Sequence, residues 1–141
     1  MATIRGTIMG LVDTALKAIL ITGGYSTNLG AKIYEWRPIP LGDDVGPAAT
    51  YKDTLTRKPI SQNYFENTIS LEVVVYGNTV NTVRDMVGDV IKAVGLNQTW
   101  GGNAKHSIFV SEDTGVAQKD KLIAVSHLTF SIQYHALNWS T

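Results

Sequence analysis

Three histidines, His106, His127 and His135, are the side chains best suited to hold a metal ion or shuttle a proton in this chain of 141 residues. His127 and His135 stand eight positions apart in a run that alternates apolar and polar residues. On an extended strand that separation is roughly 26 Å at 3.3 Å per residue, so they cannot share an ion. His106 belongs to another segment, and a metal site there would need a fold-back that recruits carboxylates. Of the carboxylate pairs, Asp43-Asp44 lies in turn-rich sequence, where a solvated loop is a simpler reading than a divalent-cation or acid-base site. Asp85 and Asp89 are one helical turn apart with Lys92 in reach, which reads as a solvated helix face. The absence of cysteine excludes disulfides, zinc thiolate sites and thiol nucleophiles. No serine has a Gly-x-Ser-x-Gly elbow. Gly101-Gly102 lacks a following Lys-Ser/Thr, and Gly23-Gly24 follows a helix rather than a strand, so neither forms a phosphate loop. The expectation is a protein without catalytic centre, cofactor or metal.

Charge narrows the partners. Twelve basic residues balance twelve acidic ones, and the balance holds in each half: seven against six over 1–70, five against six over 71–141. A DNA-binding domain needs a basic stripe to neutralise phosphates, so sequence-specific nucleic-acid binding is disfavoured. The most apolar early stretch, 4–21, is interrupted by Asp13 and Lys17, and the expectation is cytosolic synthesis with no membrane span. With 44% hydrophobic and 17% charged residues, the chain has the material for one core, and a single domain over 1–141 is expected.

The elements that would position any site follow from periodicity. Ile4, Ile8, Leu11, Val12, Ala15 and Ile19 recur at helical spacing, predicting a first helix over roughly 4–21 that Gly23-Gly24 ends. Gly6 and Gly10, one turn apart, suggest close approach by another backbone, within the fold or from a second subunit. Residues 32–37 read as a short strand stopped by Pro38 and Pro40, with Trp36 in the core or on the sheet. Ala48 to Lys52 reads as a second strand, and Asp53–Tyr64 as a long polar loop. Ile69, Leu71, Val73 and Val75 step by two in a third strand. Asn78 or Thr79 caps a second helix whose buried face is Val80, Val83, Val87, Val90, Ile91 and Val94, ended by Gly95. His106, Ile108 and Val110 mark a fourth strand, Glu112–Asp120 a polar loop, and Leu122 to Tyr134 a long fifth strand covered on one side only. The predicted fold is α+β: a mixed or antiparallel sheet of four to five strands packed by two helices, in the order α-β-β-β-α-β-β.

Two tryptophans fall outside this frame. Trp100 lies in the turn Asn97-Gln98-Thr99-Trp100-Gly101-Gly102 and Trp139 in the C-terminal tail, and each needs something to cover it, either a subunit interface or intrachain packing.

Four segments taken in order resemble the tail terminator, or tail completion, proteins of long-tailed bacteriophages. They are Gly23-Gly24-Tyr25-Ser26-Thr27-Asn28-Leu29-Gly30 after the first helix, Gly46-Pro47-Ala48-Ala49 entering a strand, Thr99-Trp100-Gly101-Gly102-Asn103-Ala104 after the second helix, and Phe130-Ser131-Ile132-Gln133-Tyr134 in the last strand. The resemblance implies a structural virion protein that performs no catalysis. Its subunits would form a homo-hexameric ring on the head-proximal end of the tail tube, ending polymerisation and presenting the head-joining surface. The implied partners are other copies of itself, the major tail tube protein and a head-completion or connector protein, with assembly in the host bacterial cytoplasm. Mapped onto this sequence, Asp53–Tyr64 and Glu112–Asp120 would be adaptable loops, with Arg57, Lys58, Lys119 and Lys121 as charged contacts beside Trp100 and Trp139. The alternatives are another head-tail joining or tail tube subunit and, from a different class, a small-molecule-binding domain or enzyme in which His127, His135 and a loop carboxylate converge.

Overall fold

Alternation over two long segments, Tyr64–Gly77 and Leu122–Leu137, places Ile69, Leu71, Val73 and Val75 of the first and Leu128, Phe130, Ile132 and Tyr134 of the second on one buried face. These strands pair antiparallel from Tyr64 opposite Leu137 to Gly77 opposite Ala124, at the centre of the sheet. A computed structural model describes residues 3–36, 47–118 and 122–137. In chain order it shows α1 (Ile4–Lys17), β1 (Ile33–Glu35), β2 (Ala48–Ser61), β3 (Tyr64–Gly77), α2 (Val80–Gly95), β4 (His106–Gln118) and β5 (Leu122–Leu137). The strands form one sheet in the order β1-β2-β3-β5-β4. The β1–β2 pair is parallel and the other three are antiparallel. The predicted α+β class and element order are those observed. Ile8, Met9, Val12 and Leu16 of α1 join Val83, Met86, Val87, Val90, Ala93 and Val94 of α2 and the apolar sheet face in one core.

Four elements depart from the sequence reading. The first helix ends at Lys17 rather than near 21: Leu20 is extended and a separate 3-10 turn spans Ile21–Gly23. Asp53–Ser61 is strand, not loop, and so is Glu112–Gln118. Thr56–Ser61 and Glu112–Gly115 are exposed throughout, so their side chains had no reason to alternate in polarity, and periodicity reports burial rather than strand. In α2 the cap is Thr79, whose side chain accepts from the Thr82 amide at 3.2 Å, while Val80 and Ile91 stay on the rim. Gly6 and Gly10 face outward on α1, and nothing approaches Gly10 within 4 Å, so close intrachain packing does not account for that glycine.

The connection from α1 to β1 is held by α2. Asp89 is 4% exposed and accepts from the Ser26 amide at 3.0 Å, the Thr27 amide at 2.9 Å and the Thr27 hydroxyl at 2.6 Å. The expected solvated helix face is therefore wrong at Asp89, where backbone amides replace water around the carboxylate. Lys92 reaches the Gly24 carbonyl at 2.8 Å and sits over the Tyr25 ring rather than relieving Asp89. Gly24, at φ +91°, takes the left-handed turn that ends the 3-10 helix. Asn28 accepts from the Ile21 amide, and Leu29 is buried. At Gly30 the chain presses on the end of α1: a Cβ there would lie 2.2 Å from the Lys17 carbonyl oxygen.

On the other side of α1, the buried Tyr51 hydroxyl donates to Asp13 at 2.6 Å, and Lys17 pairs with the same carboxylate at 3.0 Å. Burial opposes the Asp13 charge, but the Tyr51 bond and Lys17 outweigh it and hold its pKa below the ordinary 3.8. Burial, then the Asp13 carboxylate, pushes the Tyr51 hydroxyl well above its ordinary 10.0. Because the folded protein holds the Tyr51 proton more tightly, this contribution is complete below pH 10 and is lost as pH rises through the folded pKa. The Asp13 contribution is present above 3.8 and is lost as pH falls through its lower folded value. Tyr51→Phe should flatten the alkaline limb of stability against pH in denaturant titrations, and Asp13→Asn the acid limb. Gly30→Ala should cost about 3 kcal/mol through overpacking against backbone. Asp89→Ala should cost about as much by leaving the Ser26 and Thr27 amides unpaired. Both are read from urea midpoints, with Asn at 89 recovering only part of the loss because the three donors are divided between the two carboxylate oxygens.

Candidate assembly interface

The two segments that turned from loop to strand make the outer parts of the sheet. β1 covers β2 only at Ala49, Thr50 and Tyr51, and the Trp36 amide adds one bond to the Tyr51 carbonyl at 2.8 Å. From Lys52 to Ser61 the outer edge of β2 has no strand beside it among the described residues. Pro59 is tolerated there because an edge position demands no donor on its open side. The root of this arm is fixed by Asp53, buried at 5% exposure and paired with Arg5 of α1 at 2.5 Å. Beyond it, Thr56–Asn63 is exposed, including Arg57, Lys58 and Ile60. Neither Arg57 nor Lys58 makes an ion pair among the described residues. Lys52, at the root, pairs with Glu72 at 3.2 Å on an exposed surface, a contact of little energy.

At the opposite edge, β4 pairs only with β5 among the described residues. Its register slips between Phe109 and Ser111, so Val110 is a bulge. The bulge overturns the expected alternation of His106, Ile108 and Val110. Ile108, Phe109 and Val110 are instead all exposed in succession, at 52%, 44% and 56%. Phe109 leans edge-on against buried Phe130, and the other two have no such cover. Glu112 and Asp113 follow, both exposed.

The sequence candidates separate clearly. Arg57 and Lys58 are exposed on the β2 arm. Trp100 is 1% exposed, and its indole N–H donates to the Ser107 hydroxyl at 2.8 Å, which itself donates to the Gln98 carbonyl. Held in a left-handed turn at φ 47°, it packs inside its own chain and offers no surface to a partner. Lys119, Lys121, Trp139, Asp43 and Asp44 lie outside the described residues. Trp36, expected in the core or on the sheet, is 59% exposed at φ 56°. It directly follows the three-residue strand β1. The run Ile108-Phe109-Val110 carried a signal, since three consecutive apolar residues on an exposed element are atypical without a binding role.

The histidines do not converge. His127 is exposed opposite Asp113 and Val74, whereas His135 lies toward the other end of β5. There the Tyr64 hydroxyl and His135 Nδ1 are 2.5 Å apart, Glu66 lies 3.7 Å from His135 Nε2, and Gln133 donates to Glu66 at 2.6 Å. These half-buried groups bind strand to strand at the far end of the arm, where Tyr64 pairs with Ser61 and Glu66 with Lys58. Among the described residues no cluster of His, Asp and Glu is arranged to hold a metal ion, and no helix is long and apolar enough to cross a membrane.

No family model and no curated protein matches the sequence. Among solved structures the chain is similar to one from the virion of the native gene transfer agent (GTA) particle, with a TM-score of 0.71 over 96% of this chain and 100% of that one. The two sequences are 13% identical, so what they share is the fold.

Proposed function

We propose that this protein is a structural subunit of a phage-type virion, and specifically a tail terminator. It would form a ring, hexameric in number, that caps the head-proximal end of the tail tube, ends tube growth and offers the head-joining surface. The observation that carries this reading is the end-to-end fold match to a chain of the GTA virion. It stands beside the four ordered segments that resemble tail terminators, one of which, 23–30, is anchored residue by residue to α2 and the end of α1. Edges open among the described residues and exposed apolar side chains suit a subunit built to be covered by others. The partners are further copies of the chain, the major tail tube protein and a head-completion or connector protein, and the action is assembly rather than catalysis.

Purified protein should give sixfold rings by native mass spectrometry or negative-stain imaging, and should cap purified tails so that added tube subunits no longer extend them. A strict monomer that neither binds nor caps tails would sink the reading. Unlimited tubes from the protein alone would assign it to the tube instead.

A further inference from the structure

Among the described residues the sheet has two free edges, and they differ in chemistry. The outer edge of β2 carries Arg57 and Lys58, while its one acid, Asp53, is buried and neutralised by Arg5. The outer edge of β4 carries Glu112 and Asp113 next to the exposed run Ile108, Phe109 and Val110. None of these four charges makes an ion pair among the described residues. The chain as a whole has no net charge, so the two edges are complementary patches on a molecule that does not repel its copies.

Strand direction fits the same conclusion. β2 opposes β3, β3 opposes β5 and β5 opposes β4, so β2 and β4 run in opposite senses. A second copy placed beside the first with its sheet continuing laterally sets β4 of one against β2 of the next in the antiparallel sense. The open length of β2 ends where Pro59 lacks a donor, and on β4 the Val110 bulge interrupts regular pairing, so side chains must supply much of the contact.

We infer that the β4 edge, Ile108–Asp113, docks on the β2 arm around Arg57 and Lys58 of a second copy of this chain, as a head-to-tail contact. Ile108 and Val110 meet the apolar part of the arm near Ile60, and Glu112 and Asp113 face the two cations. A contact between unlike edges repeats from copy to copy and closes into a ring when its rotation allows. The inference rests on the ring reading above and specifies which surfaces build the ring.

The cysteine-free sequence permits a direct test. Lys58→Cys and Asp113→Cys proteins, mixed and treated with a flexible bis-maleimide, should cross-link to each other far more than either does to itself. Efficient Lys58→Cys self-linking would mean a twofold contact and overturn the inference. So would mixed proteins that stay unlinked, a wild-type chain that remains monomeric to its solubility limit, or Asp113→Cys linking only to another virion protein. Paired reversal of Arg57 and Lys58 to Glu should weaken association about tenfold or more at low salt; because Lys58 lies opposite Glu66, the melting temperature is measured alongside to separate lost folding from lost association. Reversing Glu112 and Asp113 to Lys in the same chain should restore it, and failure of that rescue counts against the pairing. Tail capping is scored separately: cross-links without capping keep the contact and reject the terminator role, whereas capping without cross-links does the reverse.

Discussion

The fold turns on one buried carboxylate. Moving an ionised Asp89 out of water costs several kcal/mol unless donors replace the lost hydration, and here the donors are the Ser26 and Thr27 amides and the Thr27 hydroxyl. Those amides belong to a turn that has no regular partner of its own, so each group needs the other. The consequence is geometric. With the turn fixed on α2, Gly30 can press against the last carbonyl of α1, Leu29 enters the core, and β1 leaves at the angle that lets it pair parallel with β2. Both helices are thereby tied to one face of the sheet, while on the other face Ala48, Tyr76 and Val125 form a small buried cluster of their own.

How much of this the sequence displays depends on burial. β3, β5 and α2 were legible because each presents one face to the core, and the core selects apolar side chains at period 2 or 3.6. The β2 arm and the outer half of β4 were not, since strands without a covering layer obey only backbone hydrogen bonding, which leaves no mark on polarity. Asp89 was misread for a related reason. A carboxylate on a helix looks solvated until a distant turn supplies its donors, and Ser26 is 63 positions away.

The tryptophans show the same limit from the other side. Trp100, in a glycine-rich turn, was open to a subunit interface or to intrachain packing, and the turn folds back on the sheet and buries it against Ser107. Trp36 was expected in the core or on the sheet because it follows alternating residues, yet the strand stops at Glu35 and Trp36 takes an exposed left-handed position after it. Of the candidate interface, Arg57 and Lys58 were legible as exposed cations, whereas the apolar run of β4 was assigned to a sheet face because a bulge cannot be counted from one sequence.

The bulge and Pro59 bear on why such a sheet stays a defined protein instead of a seed for fibres. Open, flat edges pair with any strand that presents itself. Here one edge lacks a donor at Pro59 and the other is kinked at Val110, so the backbone alone makes a poor template on either side. Association must then draw on side chains, and side chains discriminate: cations line one edge, acids and apolar groups the other. Like edges repel and unlike edges attract, which disfavours twofold pairing and favours a repeating contact of fixed sense. The devices that blunt aggregation therefore also restrict which surfaces can meet, and a subunit that must join its neighbours in one orientation needs both effects at once.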